Sequence, residues 1–256
     1  MRLAILSDVH GNTTALDAVL ADVEAAGGVD GYWVLGDHAA LGPDPTGAIE
    51  RLVALPNAQF VRGNTDRYTA TGDRPEPTPE DVLADPAKLP IALQVAASFA
   101  WTQGAVTAAG QLNWLAALPL EQRLTFPDGT RLLGVHAAPG EDDGPGINPG
   151  QSDDELATIL GGSGADLVIV GHTHVALDRT AGGVRVINLG SVSNPVTEDL
   201  RAGYLILEVD ASGYRLERRR VAYDIPAVMA AVERARHPAS PFLLPFFRGE
   251  RRSRWA

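Results

Sequence analysis

The 256-residue sequence contains no cysteine. Disulfides, thiolate nucleophiles and cysteine-based zinc sites are therefore excluded, and any metal ion must be bound by histidine and oxygen ligands. Basic residues are few, since 21 lysines and arginines face 32 acidic residues and give a net charge of −11. This charge argues against nucleic acid or an anionic membrane as a partner, and it also repels a small phosphorylated substrate. A phosphate site in this chain would need a local source of positive charge.

Long hydrophobic runs are also missing. The N-terminal apolar run stops at Asp8, too early for a signal-peptide core, and no later run approaches the length of a membrane span. The hydrophobic content of 45% and the charged content of 21% are ordinary for a globular protein. We therefore expect a cytoplasmic protein with one domain over residues 1–256, and we leave self-association into a homo-oligomer open.

Short apolar runs followed by polar, glycine-containing turns predict a series of strands. They are Leu3–Leu6, Tyr32–Leu35, Gln59–Val61, Arg131–Val135, Leu167–Val170, Val184–Ile187 and Tyr204–Val209. Between the first two, the apolar residues at 16, 19, 20 and 23 follow helical spacing, with Asn12 or Thr13 as the N-cap. A strand, a helix and a strand in succession indicate an α/β fold.

Later segments predict further helices. Ile91–Thr102 and Gln111–Leu118 have helical patterns, so an insertion at about 79–118 is predicted to form a small helical cap over one end of the sheet. Asp153–Leu160 and Ile225–Arg236 predict two more helices. Residues from about 237 to 256 are predicted to form a C-terminal tail, which we interpret as a docked or frayed terminus rather than a partner motif.

The most informative pattern is that the principal strands lead into side chains that can bind metal. These side chains are Asp8 and His10, Asp37, Asn64 with Asp66, His136, and His172 with His174. At the carboxyl edge of a mainly parallel sheet they would lie close together. On an extended backbone, residues two apart would also point to the same side. A single histidine after a strand is typically a structural residue, and a single aspartate there is typically a helix cap. Five strands that all end in such residues instead indicate a shared site.

Five segments resemble, in this order, the calcineurin-like metallophosphoesterases: DVHGN (8–12), GDHAALGP (36–43), RGNTDR (62–67), GVHA (134–137) and GHTH (171–174). Together with NLGSVSNP (188–195), they are most similar to small bacterial phosphodiesterases and phosphatases, over roughly residues 1–210. The resemblance implies an α/β fold with a central β-sandwich of mixed sheets flanked by helices. It also implies two divalent metal ions. Asp8, His10 and His174 would bind the first, Asn64, His136 and His172 the second, and Asp37 would bridge them.

These ligands suit Mn²⁺, which we expect, and also Fe, Zn²⁺ or Ni²⁺. Two divalent ions carry about +4, against about −3 from two aspartates and a bridging hydroxide, which leaves about +1 to attract phosphate. The predicted reaction is hydrolysis of phosphodiesters or phosphomonoesters by direct attack of that hydroxide, without a phosphoenzyme. Two alternatives remain open: a non-catalytic metal-binding scaffold on the same fold, and a metal-dependent nuclease.

Three further residues are candidates for the catalytic machinery: Asp66, His38 and Asn12. Asp66 would orient groups around the metals. Thr65 stands where many family members carry a histidine that protonates the leaving oxygen, and its hydroxyl is too weak an acid for that role. His38 is a substitute acid beside Asp37, although neighbours on an extended backbone point apart. Asn12 would contact substrate or cap the first helix.

Other groups could contact the phosphate. The backbone N–H groups of Gly11 and Asn12, at the start of the first helix, could bind an anion. Arg62 and Arg67 could also contact phosphate, although surface salt bridges are the favoured interpretation. Ser191 lies in a segment whose asparagine, glycine and proline residues are typical of a tight turn.

Overall fold

A computed structural model describes residues 1–253 and contains two five-stranded sheets. The strands are β1 (Arg2–Leu6), β2 (Gly31–Leu35), β3 (Ala58–Val61), β4 (Glu121–Thr125), β5 (Arg131–Val135), β6 (Leu167–Val170), β7 (Leu177–Ala181), β8 (Val184–Asn188), β9 (Ala202–Asp210) and β10 (Gly213–Val221). The first sheet has the order β10-β9-β1-β2-β3 and the second the order β4-β5-β6-β8-β7. In each sheet three adjacent strands are parallel, namely β1, β2 and β3 in the first and β5, β6 and β8 in the second.

Helices cover the outer faces of the sheets. They are α1 (Thr13–Ala25), α2 (Pro45–Val53), α3 (Asn64–Thr71), α4 (Pro79–Ala84), α5 (Leu89–Ala108), α6 (Leu112–Ala116), α7 (Asp153–Leu160), α8 (Ile225–Arg234) and α9 (Ser240–Phe247), with a short 3₁₀ helix at Pro86–Lys88. The fold is therefore α/β, with two mixed sheets flanked by helices, as expected. No described helix combines the length and hydrophobicity that crossing a bilayer requires.

The core lies between the two sheets and continues under the helices. In β1, Leu3 and Ile5 pack toward the second sheet with Leu167 and Ile169, whereas Ala4 and Leu6 pack toward α1. Strands buried on both faces have continuous apolar sequences, which is why β1, β2, β5 and β6 are evident from sequence. Three strands that the sequence did not predict, β4, β7 and β10, are antiparallel edge strands with many polar residues.

The interpretation of one mainly parallel sheet is wrong. The predicted ligands follow parallel strands in two different sheets, because the chain completes β1, β2 and β3 before it builds the second sheet. The carboxyl ends of the two parallel sets nevertheless meet at one end of the sandwich. Asp8 and Asp37 come from the first sheet and His136 from the second, and the three lie within 4.8 Å of one another.

The insertion and the tail both contain helices. Within residues 79–118, α5 and α6 pack on α3, and Val106 and Leu115 join a core cluster with Ile49 of α2. In the tail, α9 packs on α8 and buries Leu243 and Phe247, so this part is docked rather than frayed. Residues 254–256 of the predicted tail lie outside the described residues, and the single-domain organisation over 1–256 stays a prediction.

Candidate metal centre

The seven predicted ligand side chains come together at this end of the sandwich. Asp8, His10 and His174 form one group, and Asp8, Asp37 and His136 form another; within each group one ligand atom per residue lies within 4.8 Å of the others. His172 belongs to neither group, but Asn64 links it to His136. The Asn64 Oδ1 is 3.1 Å from His136 Nε2 and 3.2 Å from His172 Nδ1. The first group is the set that the family resemblance implies for one ion, whereas the second contains His136 with the two aspartates; the assignment of each residue to a particular ion stays a prediction.

The backbone at these residues is not extended. Asp8, His10, Asp37, His172 and His174 have φ values of 58°, 48°, 57°, 68° and 58°. The left-handed region is uncommon for residues other than glycine and costs about 1–3 kcal/mol for each residue. The argument from extended i, i+2 spacing was therefore wrong. The loops turn sharply after each strand, and this turn directs the ligands inward.

Glycines allow the loops to approach each other this closely. A Cβ atom at Gly63 would lie 2.1 Å from Asp37 Oδ1 and 2.4 Å from the Asp37 backbone nitrogen. Gly36 has a φ of 89°, and a Cβ there would lie 2.5 Å from His136 Nδ1. All three distances are shorter than real Cβ contacts, so any side chain at these two positions would displace a ligand.

Each of the four histidines donates one ring N–H to a backbone carbonyl. Nδ1 of His10, His136 and His174 contacts the carbonyl oxygens of Ala40, Leu35 and Asn194 at 2.8, 2.7 and 2.8 Å, and His172 Nε2 contacts that of Gly144 at 2.9 Å. A carbonyl only accepts, so these nitrogens carry the hydrogen and the other nitrogen of each neutral ring is an acceptor. All four acceptor nitrogens face the centre, as metal-binding histidines do.

The acceptor nitrogens meet other acceptors. His10 Nε2 and His174 Nε2 are 3.2 Å apart, and the nitrogens of His136 and His172 face the same oxygen of Asn64. Lone pairs at such distances repel each other unless a proton or a metal ion lies among them. The donor set therefore fits divalent cations with imidazole, carboxylate and amide ligands.

Asp37 lies between His10 and His136. Its Oδ2 is 3.6 Å from His10 Nε2, and its Oδ1 is 3.5 Å from His136 Nε2. The backbone N–H of Thr65 donates to Oδ1 at 3.0 Å and fixes the plane of the carboxylate. One oxygen thus faces each of these two histidines, and the bridging of two ions by Asp37 stays a prediction.

The charges of the cluster depend on one another. Burial raises the pKa of the Asp8 and Asp37 carboxyl groups, but the neighbouring histidines outweigh it and the net pKa of each is lowered. Burial lowers the pKa of His136, but the Asp37 and Asp8 carboxylates and the Leu35 carbonyl together outweigh it and raise the pKa to about 10. Burial lowers the pKa of His10 and His172. The carboxylates therefore hold positive charge in the pocket, which a metal ion can replace by displacing protons.

Asp66 is buried behind Asp37 and orients it. Asp66 Oδ2 accepts hydrogen bonds from the backbone nitrogens of Asp37 and Gly63, both at 2.9 Å, and from His38 Nδ1 at 2.8 Å. Its Oδ1 accepts from the backbone nitrogen of His38 at 3.0 Å. This position agrees with the predicted orienting role.

His38 points away from the ligands. Its ring is buried between Phe60 and Trp114, with centroid distances of 5.8 and 5.3 Å, and it does not line the cavity at the centre. The geometry favours a structural role over that of a substitute acid, because an acid must reach the leaving oxygen.

Two proposed phosphate contacts are already satisfied within the protein. Asn12 Oδ1 caps α1 by accepting from the Ala15 nitrogen at 3.0 Å, and its Nδ2 donates to Ser193 Oγ at 3.0 Å, so the structure supports capping. The backbone N–H groups of Gly11 and Asn12 donate to carbonyl oxygens of His38 and Val9, so they are not free to bind an anion.

The two arginines form ion pairs, as the favoured interpretation held. Arg62 Nε donates to Asp142 Oδ2 at 2.7 Å. Arg67 donates to Asp142 and, at 2.7 Å, to Asp143 Oδ2. Their charges are thus largely neutralised by one loop.

The NLGSVSNP segment supports the centre through its asparagines. The carbonyl of Asn194 accepts the His174 Nδ1 hydrogen bond, and Asn194 Nδ2 donates to the Leu41 carbonyl at 3.1 Å. Asn188 Nδ2 donates to the Gly171 carbonyl at 2.7 Å and so holds the GHTH loop in place.

Ser191 Oγ donates a hydrogen bond to the carbonyl of Ser193 within the same turn. The sequence predicted a turn here but not the supporting role of the two asparagines. They act through backbone carbonyl and side-chain amide contacts, which leave no recognisable spacing in a sequence.

The C-terminal helix also reaches the centre, which the sequence did not indicate. A cavity of about 160 Å³ at the ligands is lined partly by Phe242 and Phe246 of α9. Leu41 and Thr65 complete its apolar side. The tail therefore forms part of the wall around the candidate metal centre.

Two mixed sheets with histidine and carboxylate ligands at their shared end define a metallophosphoesterase. The chain belongs to the calcineurin-like phosphoesterase superfamily, whose domain matches residues 1–212. A metallophosphoesterase from Sphaerobacter thermophilus is 29% identical, with a TM-score of 0.76 over 98% of this chain and 99% of that chain. Protein PH1004 from Pyrococcus horikoshii has the same fold, with a TM-score of 0.79 at 21% identity over 98% and 99% of the two chains. Protein MJ0912 of Methanocaldococcus jannaschii is 27% identical over 253 residues, 92% of this chain and 93% of that protein.

Proposed function

We propose that this protein is a dinuclear metal-dependent phosphoesterase that hydrolyses phosphodiesters or phosphomonoesters, with Mn²⁺ as the expected metal. The observation that carries the proposal is the set of four histidines whose acceptor nitrogens face two aspartates and one asparagine in a single pocket. A cytoplasmic location and a small phosphorylated substrate belong to the same proposal.

Asp8, His10 and His174 would hold one ion, Asn64, His136 and His172 the other, and Asp37 both. When bound, two divalent ions would lower the pKa of water toward neutrality, orient the phosphoryl oxygens and offset their charge. They would also offset the charge of the two buried carboxylates in an acidic protein, taking the place of the protons that the histidines hold.

The protein's own residues fix the ligands in advance. The four backbone carbonyls orient the imidazole rings, and Asp66 holds the loop of Asp37. Pre-organised ligands reduce the rearrangement that substrate binding would otherwise require. Gly36 and Gly63 leave the space that this loop packing needs.

Among residues 1–253, no side chain that lines the metal-centre cavity, apart from the predicted ligands, is an evident proton donor for the leaving group. Thr65 is a poor acid, His38 points away from the cavity, and Arg62 is paired with Asp142. We therefore infer that good substrates have leaving groups that depart as stable anions, such as aryl esters.

The test is a metal-supplemented screen of aryl phosphomonoesters and phosphodiesters, with Asp37→Ala and His136→Ala as inactive variants. We expect turnover that chelator abolishes and Mn²⁺ restores. Metal binding without turnover of any ester would instead support the scaffold alternative. Cleavage of DNA or RNA would support the nuclease alternative.

A further inference from the structure

A second cavity adjoins the metal-centre cavity. It has a volume of about 340 Å³ and lies between α5, α9 and the start of α3. Leu41, Asn64, Thr65 and Phe242 line both cavities, so the two are neighbours. We call it the α5–α9 pocket. Its size is at the lower end of the range for small-molecule sites, about 300–1,000 Å³.

The walls of the α5–α9 pocket are mainly apolar and aromatic. Phe99 of α5 is packed edge-on against Tyr68 of α3, with ring centroids 5.5 Å apart, and Val95 lies one turn before Phe99. On the other side, the Phe242 ring is fixed by Phe246 at 5.3 Å and by the Arg251 guanidinium at 4.4 Å. Rings held in this way form a preformed surface for another flat, apolar group.

Two hydroxyl groups in these walls lack a partner. Thr65 Oγ1 and Ser98 Oγ are buried and have no hydrogen-bond partner among residues 1–253. Buried polar atoms without a partner are rare and call for an explanation. Both residues line the pocket, but the two oxygens expose no surface to it, so a bound ring would rest on the carbon atoms of these side chains.

We propose that the α5–α9 pocket binds the leaving group of the substrate, and that this group is a single aromatic ring system esterified to phosphate. The inference rests on the proposed phosphoesterase function and specifies its substrate class. Thr65 lines both cavities and its backbone N–H contacts Asp37, so the pocket lies within reach of a group attached to a phosphate at the centre. The apolar walls would bind an aromatic ring. The lack of a proton donor favours the same kind of leaving group, because an aryl oxide can depart without being protonated.

The chemistry balances without a further reactant. Water supplies the oxygen that bonds to phosphorus, and the bond between phosphorus and the aryl oxygen breaks. The electron pair of that bond leaves with the aryl oxide, and one proton of the water is released to solvent. An aryl oxide is a stable enough anion to leave unprotonated, whereas an alkoxide is not.

The first test is binding of phosphonates, which cannot be hydrolysed. Phenylphosphonate and methylphosphonate are titrated into the Mn²⁺-loaded protein by calorimetry. Burying a phenyl ring should tighten binding of phenylphosphonate by about 10- to 100-fold over methylphosphonate. Equal affinities for the two would overturn the inference.

Two variants locate the effect. Val95→Phe fills the α5–α9 pocket and should remove most of the preference for phenylphosphonate, whereas Phe242→Ala removes one wall and should reduce it. Leu93→Phe is the matched control, because Leu93 lies on the same helix but is 61% exposed and does not line this pocket. A preference that persists in Val95→Phe, with the fold intact by circular dichroism, would contradict the inference.

The second test is the ratio of kcat/KM for phenyl phosphate to that for methyl phosphate. The ratio should exceed 1 in the wild type and in Leu93→Phe, and it should fall in Val95→Phe. Turnover of both esters with an unchanged ratio would refute the pocket assignment alone. No turnover of any ester with any metal would refute the proposed function, whatever the phosphonates show.

Discussion

His10 and His174 direct their Nε2 atoms at each other across 3.2 Å, although each ring has already donated its Nδ1 hydrogen to a backbone carbonyl. Two neutral rings in this arrangement would present two lone pairs to one another; burial lowers the pKa of His174, but the Asp8 carboxylate outweighs it and raises the net pKa, so a proton or a metal ion is favoured between the rings. Asp8 Oδ1, which is 3.2 Å from His174 Nε2, adds negative charge. The arrangement costs free energy in the absence of a cation, so folding and metal binding should be coupled.

Metal ions should therefore raise the thermal stability. At a free Mn²⁺ concentration of 100 times Kd, binding to one site stabilises the native state by about 2.7 kcal/mol. Differential scanning calorimetry with Mn²⁺ and with chelator measures the shift in Tm. His174→Ala should lose much of the shift, and an identical Tm in Mn²⁺ and chelator would contradict the coupling.

Gly63→Ala should disrupt the centre. The added methyl group would lie 2.1 Å from Asp37 Oδ1, so the bridging carboxylate must move. We expect a loss of Mn²⁺ affinity of at least the about 10- to 100-fold seen when supporting residues are changed. Isothermal titration measures it.

Gly104→Ala is the matched control for this substitution. Gly104 lies in α5, and a Cβ there meets nothing within 4 Å. The change should leave Mn²⁺ affinity intact and raise stability by about 0.5–1 kcal/mol, since alanine favours helices. Equal metal affinity in Gly63→Ala and Gly104→Ala would show that Asp37 is not a ligand.

Asp66→Asn should weaken metal binding without removing a ligand. Asp66 accepts four hydrogen bonds, including those from the backbone nitrogens of Asp37 and His38, and an amide can satisfy only part of this set. We expect about 10- to 100-fold weaker Mn²⁺ binding. Asp73→Asn, at an exposed site in the same region, should bind Mn²⁺ normally.

His38→Ala should reduce stability and leave the pH dependence of kcat unchanged. The ring is fully buried against Phe60 and Trp114, and truncating a buried ring costs about 3–5 kcal/mol. Denaturant unfolding and pH–rate profiles with good and poor leaving groups separate the two effects. Loss of one limb of the profile, confined to poor leaving groups, would restore His38 as the acid.

His237, which is not one of the predicted metal ligands, should make the free energy of unfolding depend on pH. Burial lowers the pKa of His237 to about 4, and its Nε2 has no hydrogen-bond partner among residues 1–253. Because the folded pKa lies below the unfolded value, the unfolded state binds the proton more tightly. Stability is therefore retained above pH 6.5 and lost as the pH falls toward 4, by about 3 kcal/mol.

His237→Asn tests this prediction. The amide oxygen can replace His237 Nδ1 as the acceptor for the Ala239 backbone nitrogen, but it does not titrate. Denaturant unfolding in chelator between pH 4 and pH 7 should show a shallower pH dependence in the variant. Parallel curves for the variant and the wild type would exclude His237 as the source.

The sequence predicted the buried strands because strands covered on both faces are continuously apolar, as in Leu3–Leu6 and Leu167–Val170. It did not predict β4, β7 and β10, whose polar residues face solvent at sheet edges. The order of the strands also could not be derived from composition, because pairing between β1 and β9 joins residues about 200 positions apart.

The sequence by itself determined which side chains are available for chemistry: without cysteine, the candidates were the histidines and carboxylates that follow strands. Only the tertiary structure decided their roles, because these depend on direction. Left-handed turns aim His10 and His174 inward, while the next residue after Asp37 points into an aromatic core. The tertiary structure also brought α9 to the metal centre, since docking of a distant apolar helix leaves no local signal in the chain.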